Sequence, residues 1–189
     1  KPFTFALVRE AVGHDEARRL LGANATGRPF NSVEAVERSG DGRTNPMVNS
    51  GALAAASLVP GDTPDERWDA IRGGLSRFAG RELHLDDEVL ASARDTNGRN
   101  GSIAHLLRSV GALHGDPVEV LDLYTRQSCL AVTAQDLAVM GATLADGGVN
   151  PCTGEQVVSA ASCRDVLAVM TIAGLYETSG DWLYRVGLP

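Results

Sequence analysis

The stretch Asn45-Pro46-Met47-Val48-Asn49-Ser50-Gly51-Ala52 constrains this chain more tightly than any other feature. Proline locks one backbone torsion and forces a stiff turn. The run that follows, Ser50 to Val59, is small and apolar, as expected of a helix buried on all sides. Asparagine is a poor helix former, and its amide brings two donors and an acceptor that need partners once buried. Two asparagines held by a proline at the mouth of a core helix point to a polar pocket that recognises an amide or a carboxylate. Taken alone, the segment also reads as an N-cap followed by a helix.

Helical signals dominate the rest. Lys1 to Val12 carries Phe3, Phe5, Ala6, Leu7 and Val8, and Gly13 ends it. Thr63-Pro64-Asp65-Glu66 is a capping box with proline at the first helical position, opening a helix through Trp68, Ile71, Leu75 and Phe78 that Gly80 stops. Asp86 to Ala93 reads as a shorter helix, and Arg99 to Val110 aligns Ile103, Leu106, Leu107 and Val110. Asp116-Pro117 caps the next, through Leu121 and Tyr124. Thr133 with Asp136 caps another to Ala145, with Gly147-Gly148 as its stop. Ser159 to Ala173 is the last long one. Arg28 to Glu37 is the best strand candidate, and Trp182 to Val186 is expected to begin a second.

Composition excludes several classes. At 189 residues, with 43% hydrophobic and 22% charged side chains, the chain suits a single globular domain or a large part of one. A net charge of −7 disfavours nucleic acid and anionic membranes as partners. No apolar run reaches the roughly 20 residues that span a bilayer, and no signal-peptide pattern is present. Cys129, Cys152 and Cys163 have no metal-binding spacing, so reduced thiols in a cytoplasmic protein are expected. His14, His84, His105 and His114 are scattered, and neither a metal nor another cofactor is called for.

Beyond composition, the Asn45–Ala52 stretch resembles the Asn-Pro-Met-(Ile/Val)-Asn-Ala-Gly-Ala segment of the serine-dependent glutaminases. Further likenesses follow in order: Arg99-Asn100, Leu121-Asp122-Leu123-Tyr124, Val139 to Ala145, Gly147-Gly148-Val149-Asn150-Pro151, Thr153-Gly154-Glu155, Gly174-Leu175-Tyr176 and Tyr184 to Pro189. The resemblance implies an α/β fold of the β-lactamase/transpeptidase-like class, a helical cluster against an αβα sheet layer. Residues 1–189 would then be the helical part of a glutaminase catalytic domain, with strands on either side of it. It also implies hydrolysis of L-glutamine to L-glutamate and ammonia by a homodimer or homotetramer.

Site residues follow from the same likeness. The family's Ser-x-x-Lys motif sets a hydroxyl and an amine on one helix face. Lys1-Pro2-Phe3 matches its lysine end, which places the serine three residues ahead of Lys1, and an oxyanion-hole segment would follow Pro189. Lys1 is the one lysine beside sixteen arginines, and only a desolvated lysine can serve as a base near neutral pH. The resemblance makes Lys1 the general base and Tyr176 a catalytic proton shuttle. It makes Asn49, Asn100 and Tyr124 substrate-binding, while Asn45 reads as a turn or cap residue. One departure stands out: where the family carries a glutamate that pairs with the substrate ammonium, this chain has Ala93. Asp95 or Glu88 takes over that pairing, or glutamine binds weakly, or specificity differs; a catalytically impaired relative is the alternative reading.

Overall fold

The computed structural model describes residues 1–187, so Leu188 and Pro189 of the Tyr184–Pro189 likeness lie outside the described residues. The chain is a cluster of helices: α1 (Pro2–Val12), α2 (His14–Leu21), α3 (Val33–Ser39), α4 (Asn49–Ala56), α5 (Pro64–Ala79), α6 (Asp87–Thr96), α7 (Gly98–Ser109), α8 (Pro117–Ser128), α9 (Ala134–Ala145), α10 (Ala160–Ala173) and α11 (Ser179–Val186), with a 3-10 turn at Tyr176–Thr178. Among the described residues no strand forms. Two isolated antiparallel bridges, Leu85 with Leu130 and Val149 with Gln156, are the only sheet-like pairings among them. This is the helical cluster expected of the fold.

Both expected strands are helices instead. Ser32 caps α3 by accepting from the Ala35 amide at 3.2 Å, and Gly40 closes it in the left-handed region at φ 77°. Val33 and Val36 are three residues apart, a helical spacing, and Val36 is buried while Val33 packs beside it. The Trp182–Val186 stretch lies in α11, where Asp181 and Arg185 pair at 3.0 Å across one turn. Helix α2 was not anticipated from the sequence, because only Ala17 and Leu21 of its charged run are buried.

Two apolar cores meet along α4. One gathers Phe5 and Val8 of α1, Ile71 and Phe78 of α5, Leu144 of α9 and Val166 of α10. The other gathers Ile103 and Leu107 of α7 with Val120 and Tyr124 of α8. Helix α4 is the shared wall: Ala54 and Ala55 face the first core, Ala52, Leu53 and Ala56 the second, and all eight residues are buried. Its small side chains make that possible. At Gly51 a Cβ would sit 2.0 Å from the Asn45 carbonyl oxygen, so the turn can lie on the helix only if this residue is glycine.

Caps and buried polar bonds fix the helices in place. Thr63 and Glu66 complete a capping box on α5, and Thr133 and Asp136 one on α9; a cap of this kind contributes about 1 kcal/mol. Thr4 Oγ1 donates to Gln127 Oε1 at 2.7 Å, joining α1 to α8. Arg9 pairs with Asp165 at 2.7 Å, joining α1 to α10. Every buried side-chain nitrogen and oxygen among the described residues has a hydrogen-bond partner.

Candidate active site

The Asn45–Asn49 turn divides its two asparagines by role. Asn45 is fully buried; its Oδ1 accepts from the Met47 amide at 3.0 Å and its Nδ2 donates to the Asn24 carbonyl at 2.9 Å. It is a turn residue, as expected. Neither asparagine caps α4, because the N-cap is Val48. Asn49 therefore occupies the first helical turn with its side chain free for other partners, and its backbone amide donates to the Phe30 carbonyl at 2.8 Å.

Those partners are the other expected site residues. Lys1 Nζ, at the start of α1, donates to Asn49 Oδ1 at 2.6 Å, and the Tyr124 hydroxyl of α8 donates to the same oxygen at 3.3 Å. Asn49 Nδ2 donates to Asn100 Oδ1 on α7 at 2.9 Å, and Asn100 Nδ2 donates to Asn97 Oδ1 at 2.7 Å. Asn97 Nδ2 donates in turn to Thr125 Oγ1. Three helices and the start of a fourth thus deliver a chain of amides ending on one lysine.

An aromatic wall closes the lysine side. Tyr176 stacks on Phe30 with ring centroids 4.8 Å apart, and Lys1 Nζ lies 5.3 Å from the Tyr176 centroid and 5.5 Å from that of Phe30. Tyr176 alone among the described non-glycine residues has a positive φ, 53°. A left-handed tyrosine costs about 1–3 kcal/mol, strain of a sort that concentrates at functional positions.

The electrostatics suit proton transfer. Burial pulls the Lys1 ammonium from its ordinary value near 10.5 down to about 8, because a low-dielectric site penalises the charged form. Burial pushes the Tyr124 phenol up to about 12, with Tyr176 as a lesser cause. Tyr176 is raised as well, chiefly by burial. Both tyrosines are therefore protonated donors at neutral pH.

All five residues expected from the sequence, Lys1, Asn49, Asn100, Tyr124 and Tyr176, thus meet in one place. Phe30, Asn97 and Thr125 were not anticipated. The spacing of Asn97 from Asn100, three residues in a helix, could have signalled the first amide link; nothing local marks Phe30. Ala93 lies four residues before Asn97, on the same side of the helical path. Successive residues rotate about 100°, so Asp95 and Glu88 sit roughly 160° and 140° away from Ala93 around α6. Both are exposed. Neither replaces a carboxylate on the Ala93 face. Among the described residues no group of three or more His, Cys, Asp or Glu side chains could hold a metal ion, and no helix is long and apolar enough to cross a membrane.

Comparison with known proteins identifies one family. The family model described as Glutaminase matches residues 1–189. Glutaminase 2 of Yersinia pestis is 64% identical over 189 residues, covering 100% of this chain and 56% of that protein. The glutaminase of Brucella canis is 54% identical over the same 189 residues and 60% of its own length. Among solved structures, the probable glutaminase ybaS superposes with a TM-score of 0.96 at 45% identity, over 100% of this chain and 61% of that one. A probable glutaminase of Bacillus subtilis gives 0.93 at 28% identity, over 97% of this chain and 59% of the other. The chain thus spans less than two thirds of the length of these relatives.

Proposed function

Since the chain belongs to the glutaminase family, we propose that the protein carrying it hydrolyses L-glutamine to L-glutamate and ammonia, with Lys1 as the general base of a serine acyl-enzyme. The observation that carries this reading is the Lys1–Asn49–Asn100 chain, with Tyr124 on the same oxygen and Tyr176 against the lysine. The nucleophile would be the serine that the Ser-x-x-Lys resemblance puts three residues ahead of Lys1.

In this reading Lys1, held near neutrality by burial, takes the serine proton as Oγ attacks the γ-amide carbon. The C–N bond breaks, and the proton passes by way of Tyr176 to the leaving nitrogen, which departs as ammonia. Water then adds to the γ-glutamyl ester, its proton going to Lys1, and the C–O bond to serine breaks as Oγ takes that proton back from Lys1, giving glutamate and the free base. Asn49 and Asn100 offer amide donors to the substrate carboxylate, and Tyr124 offers its hydroxyl beside them. The protein would be a cytoplasmic homodimer or homotetramer, consistent with its net negative charge and three free thiols.

The experiment is ammonia release from L-glutamine, with L-asparagine as control, on the full natural polypeptide and its Lys1→Ala variant. Glutamine-specific release abolished by the substitution supports the reading. Release that persists in the variant removes Lys1 from the mechanism. A second reading, altered specificity or impaired turnover on the same scaffold, is favoured by Ala93 alone. It predicts a folded protein that leaves L-glutamine intact.

A further inference from the structure

We propose that Asn97 and Thr125 are positioning residues for Lys1: with Asn100 they form a one-way relay of hydrogen bonds that holds Asn49 with its carbonyl oxygen, not its amide nitrogen, toward the lysine. The inference deepens the reading of Lys1 as base and rests on that reading only for its catalytic consequence.

Asn97 stands at the junction of α6 and α7 as the N-cap of α7, yet it makes no side-chain capping bond. An asparagine at that position ordinarily accepts from an amide of the helix it opens. Here the side chain goes elsewhere: Oδ1 accepts from Asn100 Nδ2 at 2.7 Å, and Nδ2 donates to Thr125 Oγ1. Thr125 is buried in α8, where its hydroxyl donates to the Leu121 carbonyl at 2.6 Å. That bond leaves the hydroxyl oxygen as an acceptor for Asn97.

Every bond in the relay runs the same way. Lys1 donates to Asn49, Asn49 to Asn100, Asn100 to Asn97, Asn97 to Thr125, and Thr125 to the Leu121 carbonyl. Both ends enforce that direction, because an ammonium has only protons to offer and a backbone carbonyl only lone pairs. Turning one amide over would set nitrogen against nitrogen on one side and oxygen against oxygen on the other. Turning all three would bring an N–H of Asn49 against Lys1, take the acceptor away from the Tyr124 hydroxyl, and require Thr125 to leave Leu121. In a buried chain each such mismatch is costly.

Cutting the relay at Thr125 strands Asn97 Nδ2 and frees the three amides to turn over whenever Lys1 is neutral and can itself accept. The neutral lysine is then favoured, and its midpoint falls. Removing Asn49 altogether has no such effect, since no N–H then faces the lysine. The titratable groups that face Lys1 among the described residues are Tyr124 from α8 and Tyr176 from the 3-10 turn; Phe30, before α3, and Asn49, on α4, carry no charge.

Competitive acylation across pH, resolved to the Lys1 peptide by mass spectrometry, reads that midpoint in the full natural polypeptide and needs no substrate. Thr125→Val is expected to lower it by about 0.4–1 pH units, the equivalent of one hydrogen bond, and Thr125→Ser to restore it. Asn97→Ala should give the same shift, and the double variant no more than either alone, because both cut one chain. An unchanged midpoint in Thr125→Val, beside a lower melting temperature, would overturn the proposal, as would additive shifts in the double variant. Should Thr125→Val fail to fold, Asn97→Ala decides: a lowered midpoint supports the relay and an unchanged one overturns it. In the active enzyme the rising limb of kcat/KM should move with the labelling midpoint. A labelling shift without a limb shift counts for the relay and against Lys1 as the base. A wild-type protein that releases no ammonia likewise counts against the glutaminase reading, while the midpoints still decide the relay.

Discussion

Replacing Asn49 with aspartate puts a carboxylate where Lys1 now meets a neutral carbonyl oxygen, 2.6 Å from its Nζ. Desolvation alone holds Lys1 near 8. An opposite charge at contact favours the ammonium and moves the midpoint up by about 1–3 pH units, to between about 9 and 11. Below its midpoint the lysine is protonated and cannot take the serine proton. At pH 7.5 its neutral fraction should fall from about one quarter to about 3% or less. The readout is kcat/KM for ammonia release against pH, whose rising limb reports the free enzyme's base. In the wild-type protein that limb should centre near 8; in Asn49→Asp it should move to 9 or above, with activity recovering as pH rises. Tyr124, pushed up to about 12, does not titrate in that window. Asn49→Ala is the comparator, since it removes the same contacts without adding charge and should lower the rate at every pH while leaving the limb in place. If the Asn49→Asp limb stays near 8 and only the height of the profile falls, Lys1 is not the group whose deprotonation drives turnover.

Three other substitutions probe separate parts of the molecule. Phe30→Ala removes the ring stacked on Tyr176 and facing Lys1, contacts together worth about 1–2.5 kcal/mol; kcat should drop about 10-fold or more in a protein that still folds, its melting temperature lower by about 2–10 °C, and Phe30→Tyr should restore both. Gly51→Ala forces a methyl to within 2.0 Å of the Asn45 carbonyl and should destabilise the fold by about 1–3 kcal/mol or more in urea unfolding. Asp136 is held well below the usual carboxylate range, first by Arg81 and then by Thr133. A lowered carboxyl stabilises the fold above its unfolded pKa and loses that contribution as pH falls through the folded one. Asp136→Asn should accordingly lower the melting temperature at pH 7, and the deficit should fade below about pH 3.

The fold was legible in the sequence where local chemistry is decisive. The capping residues Thr63, Asp116 and Thr133 each accept the expected backbone hydrogen bond, and glycines end α1 and α5 as expected. It was illegible where tertiary packing outweighs propensity. The valines of α3 suggested a strand, yet Val36 finds its core only through a helical turn. Helix α2 has too few apolar residues to announce itself. The five site residues were legible through resemblance, since they lie on four helices and a 3-10 turn, up to 175 positions apart, and no spacing rule joins them. Phe30 was illegible because its role comes from a loop folding back onto Tyr176. Asn97 was within reach, but an amide at a helix start reads as a cap until its partner is known.

The same neutrality that keeps Lys1 low leaves a substrate ammonium without a counter-charge. Among the described residues, the hydrogen-bond partners of Lys1, Asn49, Asn100 and Tyr124 side chains are all uncharged apart from Lys1 itself. A carboxylate touching Asn49 would raise the lysine, so an acid for the ammonium has to stand off from it. Ala93 meets that requirement: it lies one turn before Asn97, two amides away from Asn49 along the hydrogen-bonded chain. Ala93→Glu is therefore expected to tighten L-glutamine binding without moving the pH limb set by Lys1. A buried counter-charge to an ammonium is worth about 2–5 kcal/mol, hence a KM lowered about 30-fold or more. Glutaramate, the same amide without the α-amino group, controls for everything else, and its KM should stay constant or rise. Equal changes for both substrates would mean that the Ala93 face of α6 does not meet the ammonium.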